Sequence, residues 1–137
     1  MATFNKFNQF VEDTAEKVHN LGADALTIAL SNVAPVATNS VLANITEIAY
    51  TNLSARLVTT SSSAQTSGTY KLVCADLVLT ASGAVATFRY VVLYNDTPTA
   101  PADPLIGWWD YGSGVTLANG ETFTVDFDAA NGVLQLV

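Results

Sequence analysis

The C-terminal half of the chain repeats its apolar residues at every second position, and this period constrains the fold more than any other feature. Phe123, Val125 and Phe127 alternate with threonine and aspartate, which is typical of a strand with one buried face. Residues 85–94 are apolar on both parities towards their end, which is typical of a strand covered on both faces. The turn at 118–120 contains Asn-Gly, a pair that favours a tight chain reversal.

Further short strands are predicted between Gly, Pro and Asn turns, at residues 26–30, 70–80, 105–111 and 133–137. Three of the four prolines lie in residues 95–104, which predicts an exposed connection, and residues 61–68 read as a flexible polar link. A chain of 137 residues fits one domain. We therefore expect a mainly β protein, with residues 23–137 forming a single β-sandwich or jelly-roll-like domain.

The N-terminal segment has a different period. Its apolar residues recur at steps of three and four, which predicts an amphipathic helix over residues 3–21. Thr3 is the predicted N-cap, and Gly22 stands where a helix normally ends. We expect residues 1–22 to be a docking or oligomerisation element. The predicted apolar stripe consists of Phe4, Phe7, Val11, Ala15 and Val18.

Composition excludes several classes of protein. Half of the residues are hydrophobic and 12% are charged, which argues against intrinsic disorder. Five Lys and Arg residues against 12 Asp and Glu residues give a net charge of −7, so a nucleic-acid partner is not expected. Neither a signal peptide nor a membrane span is predicted. Cys74 has no second cysteine to pair with, which suits synthesis in the cytoplasm.

Candidate catalytic and metal-binding residues are few. His19 lies near the end of the predicted helix, where the dipole favours a cation, and Cys74 lies in an apolar strand. Asp126, Asp128 and Asn131 loosely resemble a calcium loop, but their spacing departs from the usual one. We expect no enzyme activity, no metal and no cofactor.

The segment Trp108-Trp109-Asp110-Tyr111 is the most distinctive local feature. Adjacent tryptophans in a strand face opposite sides, so one can lie in the core while the other lies at a surface. An exposed Trp beside Tyr111 would suit a protein interface or the stacking of a sugar ring, and the alternative is that both tryptophans are covered. The candidate interface residues are Phe4, Phe7, Val11, Trp108, Trp109 and Tyr111.

Several phrases of the chain together resemble a known group of proteins. They are FRYVVLYND (88–96), PLIGWWDYG (104–112), VTLANGETFTV (115–125) and NGVLQL (131–136), with the opening KFNQFVEDTAEKVHNLGADALTIALSN. Their order is similar to that of small virion structural proteins from the head-gene clusters of tailed bacteriophages, often described as capsid decoration or cement proteins.

The resemblance implies a β-sandwich protein on the outer capsid surface, made in the bacterial cytoplasm. It implies a homotrimer that binds the major capsid protein of the same phage, without catalytic residues. Two alternatives stay open: a tube or adaptor component of the phage tail, and a carbohydrate-binding module that uses Trp108 or Trp109 with Tyr111.

Overall fold

A computed structural model describes residues 2–137 and is mainly β, with 47% of residues in strands and 7% in helices. The prediction of a mainly β single domain is confirmed. The elements in chain order are β1 (Asn5–Lys6), α1 (Gln9–Ala15), β2 (Leu26–Ser31), a 3₁₀ turn (Leu42–Asn44), β3 (Thr60–Thr66), β4 (Thr69–Cys74), β5 (Leu77–Thr80), β6 (Val85–Asn95), β7 (Leu105–Leu117), β8 (Thr122–Val125) and β9 (Leu134–Leu136).

Three antiparallel sheets enclose one principal core. The main sheet has the strand order β1-β7-β6-β2, and the smaller sheets have the orders β3-β4-β9 and β5-β8. The main sheet contributes Leu30, Val91 and Ile106 to the core. Leu72 of β4 and Leu79 of β5 belong to the same cluster, so both small sheets pack against one face of the main sheet. This is the layered arrangement that the alternating pattern predicts.

The opposite face of the main sheet is also buried. Ala29, Val92 and Leu105 lie one position away from core residues on their strands and form a second cluster with Phe7 and Ile45. Because successive side chains of a strand point to opposite faces, a sheet covered on both sides needs apolar residues on both parities. This explains the continuous apolar run in the second half of β6.

The outer edge of β2 is covered by the irregular segment 47–58. The amide of Ile28 donates to the carbonyl of Arg56 at 3.0 Å, and the amide of Val58 donates to the carbonyl of Leu26 at 2.8 Å. The amide of Ile48 donates to the carbonyl of Leu30 at 3.0 Å. This edge of the sheet is therefore closed by the chain itself, which protects it from pairing with another molecule.

The predicted helix over residues 3–21 is wrong in extent. Residues 5 and 6 form β1, because Asn5 and Lys6 pair with Trp108 and Gly107 of β7. The helix covers only Gln9–Ala15, with Asn8 and not Thr3 at its N-cap. Lys17 follows the helix with φ of 69°, a left-handed conformation that ends it well before Gly22.

The predicted apolar stripe is also wrong in part. Phe7 is fully buried, but it precedes the helix, and the buried residues of α1 are Phe10 and Asp13. Val11 is 53% exposed and faces away from the core. The stripe assumed one continuous helix, and the extended conformation at residues 5–6 shifts the register of every side chain that follows.

Residues 61–68 belong to a β-hairpin and are not a flexible link. They form most of β3 and its turn into β4, in which Ser67 and Gly68 have φ of 52° and 82°. The strand is exposed from Ser61 onward, so its sequence lacks the apolar alternation that identifies a half-buried strand. Among residues 2–137, no helix has the length and apolar character needed to cross a bilayer.

Substitution of Gly107 tests how closely the N-terminal segment packs on β7. A Cβ at this position would collide with the ring of Phe4 and lie 2.8 Å from the carbonyl oxygen of Asn5. We expect Gly107→Ala to lower the free energy of unfolding by about 1–3 kcal/mol, because β1 must move away. Urea denaturation measures this change.

Gly114→Ala is the matched control on the same strand, because a Cβ there meets only the Cγ2 of Thr87, at 3.0 Å. We expect it to change the free energy of unfolding by less than about 0.5 kcal/mol. Equal effects of the two substitutions would contradict the close packing of β1 on Gly107.

Candidate functional site

The two tryptophans of β7 lie on opposite faces of the main sheet, as predicted. Trp108 packs on Phe7 in the second cluster, with ring centroids 4.5 Å apart. Trp109 lies on the other face, with its ring centroid 5.3 Å from that of Phe4 and 5.9 Å from that of Phe127. Both tryptophans are partly buried and contact other aromatic rings, so neither one is an isolated surface side chain.

A cleft of about 390 Å³ opens beside Trp109, between β7 and β8. Tyr111, two positions along β7, is 56% exposed and meets the ring of Phe123 at a centroid distance of 5.3 Å. We call this space the aromatic cleft. It is lined by Ala2, Val91, Trp109, Tyr111, Phe123, Thr124, Val125, Asp126 and Phe127.

The aromatic cleft lies between β7 and β8, which belong to different sheets and do not pair with each other. In the described part of the chain, β1 pairs with β7 only at Gly107 and Trp108, which leaves this edge of β7 without a strand neighbour from Trp109 onward. On the other side of the cleft, β8 pairs with β5 alone. The side chains of Trp109, Tyr111 and Phe123 therefore close this flank of the sandwich in place of backbone hydrogen bonds.

Asp110, between Trp109 and Tyr111 on β7, and Asp126, which lines the aromatic cleft, have different environments. Asp110 accepts hydrogen bonds from Arg89 at 2.8 and 3.0 Å and from the amide of Gly112 at 2.8 Å, and these bonds lower its pKa. The carboxylate of Asp126 is exposed and accepts no hydrogen bond from residues 2–137. Asp126 is thus the free negative charge of the aromatic cleft.

A second surface joins the two ends of the described chain. A cleft of about 560 Å³ between α1 and β9 is lined by Phe4, Lys6, Phe10, Val11, Thr14, Ala15, Leu134, Gln135 and Leu136. Val11 and Leu136 are exposed by 53% and 43%, and Val137 beside them is fully exposed. We call Val11, Leu136, Val137 and the rim of this cleft the N-terminal patch.

The six predicted interface residues are divided among these regions. Phe4 and Val11 line the N-terminal patch, and Trp109 and Tyr111 line the aromatic cleft. Phe7 is fully buried and offers no surface to a partner, so its assignment to an interface is wrong in this structure. Trp108 lies on the opposite face of the sheet, against Phe7.

Sequence reasoning missed the residues that complete both surfaces. The alternation in β8 indicates that Phe123 and Phe127 share a face, but no sequence signal tells which strand they meet. The sequence suggests for Asp126 only a weak resemblance to a calcium ligand and does not place it beside Tyr111 or Phe123. Leu136 reaches α1 through the pairing of β9 with β4, a long-range contact without a local signal.

His19 lies in a structural setting and not at the end of a helix. It is 8% exposed, and the side-chain amide of Asn95 donates to its Nδ1 at 3.1 Å and to Asp24 at 2.6 Å. Burial lowers the pKa of His19, although Asp13 and Asp24 act in the opposite direction. The neutral ring, together with Asn95, ties the loop after α1 to the end of β6.

The other candidate catalytic and metal-binding residues also have structural roles. Cys74 is buried in the principal core, and burial raises the pKa of its thiol to about 11. Asp128 accepts hydrogen bonds from the amides of Ala130 and Asn131, and its pKa is lowered mainly by the bonds from Asn131. Within residues 2–137, no group of three or more His, Cys, Asp or Glu side chains is placed to hold a metal ion.

The setting of His19 predicts a pH dependence of stability. The folded protein holds the pKa of His19 below its ordinary value of 6.5, so the unfolded chain binds a proton more readily. Stability from this group is therefore present above pH 6.5 and is lost as the pH falls below that value.

Urea denaturation at about pH 7.5 and about pH 5.5 measures this loss, and we expect a smaller difference in the His19→Gln variant. The comparison is made within each variant, so the cost of substituting a buried residue does not affect the result. An equal difference in the two proteins would contradict a neutral, buried His19.

Comparisons with protein-family models, with curated protein sequences and with solved structures return no match for this chain.

Proposed function

We propose that the chain is a non-enzymatic structural protein of a tailed-bacteriophage virion, which binds the outside of the capsid lattice as a decoration or cement protein. Two things support this proposal. Short phrases of the sequence, spread between residues 6 and 136, resemble such proteins, and the fold presents apolar surface that its own core does not use. The partner would be the major capsid protein of the same phage.

The N-terminal patch is the observation that carries the proposal. Phe7 and Phe10 fill the buried positions of the N-terminal segment, whereas Val11, Leu136 and Val137 stay exposed. Val11 and Leu136 come from opposite ends of the described chain and line one cleft, and Val137 follows Leu136. Burial of apolar surface stabilises a complex by roughly 25 cal/mol per Å², so a patch of this kind favours association.

A trimer fits the proposed role. Closed three-fold symmetry would present three copies of the N-terminal patch to neighbouring subunits of the lattice. A protein that binds only the assembled lattice stabilises that state by mass action, without any reaction. The net charge of −7 suits an outer surface and disfavours contact with the packaged DNA.

The chemistry available to the chain supports binding in preference to catalysis. His19 is buried against Asn95, and Cys74 is a buried thiol with a raised pKa. Asp110 forms an ion pair with Arg89 that is partly exposed on the sheet surface. None of these groups lines the N-terminal patch or the aromatic cleft.

Charge substitution in the N-terminal patch tests the proposal. We expect Val11→Glu and Leu136→Glu to abolish trimer formation or binding to capsid shells, because each places a carboxylate in the buried contact. Light scattering on a sizing column measures the mass, which we expect to be three times the chain mass of 14.4 kDa in the unmodified protein. Co-sedimentation with shells of the major capsid protein measures binding.

Val78→Glu is the matched control, because Val78 is an exposed valine on β5, away from the N-terminal patch. We expect this variant to assemble and bind normally. Normal trimers and normal shell binding in both patch variants would contradict the assignment of this surface. A hexamer or a larger ring in the unmodified protein would favour the tail component instead.

A further inference from the structure

The free edge of β8 presents unpaired backbone groups to the aromatic cleft. The amide of Ala81 donates to the carbonyl of Glu121 at 2.9 Å, so the hydrogen-bonded pairs of the β5–β8 ladder involve the odd-numbered residues of β8. Thr80 of β5 lies opposite Thr122. Its amide donates to the hydroxyl of Ser54 and its carbonyl accepts from the amide of Ser54, on the side of β5 away from β8. The backbone N–H and C=O groups of Thr122 and Thr124 therefore point away from β5, towards the cleft.

This edge is the kind of site that accepts an additional strand. Residues 2–137 supply no strand neighbour on this side of β8, in contrast to the covered edge of β2. Main-chain hydrogen bonds to such an edge bind an extended peptide, and pockets beside it select its alternate side chains. A space of about 390 Å³ is at the lower end of the range for ligand pockets and accommodates a few residues of extended chain.

The aromatic side chains favour an aliphatic side chain over a sugar ring. The indole of Trp109 contacts Phe4 and Phe127, so these neighbours restrict access to its ring. A sugar that stacks on Trp109 would need a freely exposed indole face. Tyr111 is the exposed ring of the cleft, and it stands at the rim. One exposed ring above an apolar floor suits the hydrocarbon part of a long side chain.

The charge of the cleft favours a basic group at the end of that side chain. Asp126 is the acidic lining residue, and no Lys or Arg belongs to the described lining. Asp110 is already occupied by Arg89, so Asp126 remains available. A cation that lies over Tyr111 and beside Asp126 gains both a cation–π contact and an ion pair. The net charge of −7 attracts a basic partner from a distance as well.

We propose that the aromatic cleft binds an extended segment of a partner protein, which adds a strand to β8 and places an Arg or Lys side chain between Tyr111 and Asp126. This site is separate from the N-terminal patch and does not depend on the capsid assignment. The occupant is defined by its chemistry: an extended backbone with free N–H groups, and one basic residue whose neighbours are apolar.

The probe for this site is the blocked pentapeptide acetyl-Thr-Val-Arg-Val-Thr-amide, added to the full chain. Amide spectra report the signals of Thr124 and Asp126 and the indole N–H of Trp109. We expect these signals to shift in a saturable manner, while the same peptide with Glu in place of Arg produces no saturable shift. Two further peptides carry N-methyl groups on alternate backbone nitrogens, one at the odd positions and the other at the even positions. Only one of them should lose binding, since only one set of N–H groups faces β8.

Two variants test the side-chain contacts. We expect Asp126→Asn to weaken binding of the peptide by about threefold, as for an exposed ion pair. Tyr111→Ala should weaken it by about fivefold, through loss of the cation–π contact. Glu16→Gln removes the same unit of charge at an exposed site outside the cleft and should leave the affinity unchanged. Asp126 is exposed, so its substitution removes no core packing. Because Tyr111 packs on Phe123, Tyr111→Leu is measured beside Tyr111→Ala: it keeps an apolar side chain on Phe123 and removes the aromatic ring.

Three results would overturn the proposal. The first is the absence of saturable shifts at the cleft signals with the basic peptide at millimolar concentration. The second is equal binding of the acidic peptide, or equal effects of Asp126→Asn and Glu16→Gln. The third is a saturable shift of the same signals by cellobiose, maltose or N-acetylglucosamine without any shift by the peptide, which would identify a carbohydrate site instead. Failure of the N-terminal patch variants to affect assembly bears on the capsid proposal alone.

Discussion

The pairing of β6 with β7 is the interaction on which the rest of the structure depends. These two long strands form the centre of the main sheet, and both of their faces are buried where the sheet is widest. Val91 and Leu93 face the principal core, whereas Val92 and Tyr94 face the second cluster. Because each face needs a cover, the fold requires the small sheets on one side and the N-terminal segment with residues 41–45 on the other.

The same pairing explains why the aromatic cleft exists. β7 continues to Leu117, well beyond the two residues that β1 covers, and its register with β6 shifts at Val85/Phe88 and Phe88/Tyr90. Such irregularities increase the local twist of a sheet. The chain then turns at Gly120, with φ of 84°, and enters β8 in the opposite layer. The connection from β7 to β8 therefore joins two sheets, and the edges of these two strands face each other without pairing. Side chains such as Trp109 and Phe123 line the gap between them.

The sequence predicts the structure well where the spacing of apolar residues matches the side that is buried. It is misleading where a long-range contact decides the conformation. The alternation around Phe123 and Val125 correctly indicates a half-buried strand, because one face of β8 meets the core. The helical period from Phe4 to Val18 failed, because Gly107 allows the backbone of Asn5 to pair closely with β7. β7 and β8 are consecutive along the chain but belong to different sheets, which no local signal reveals, so the sequence identifies Trp109 and Tyr111 without the residues that face them.

The N-terminal segment links the two surfaces through Phe4. Its ring lines the cleft beside α1 and also packs on Trp109, with centroids 5.3 Å apart, while Ala2 lines the aromatic cleft. β1 forms two residue pairs with β7, and the amide of Phe7 also donates to the carbonyl of Ile106 at 3.2 Å. A partner that draws Phe4 away from Trp109 at one surface therefore changes the floor of the other. By linkage, any ligand that displaced Phe4 at one surface would change the affinity of the other surface, and the converse effect would have the same free energy.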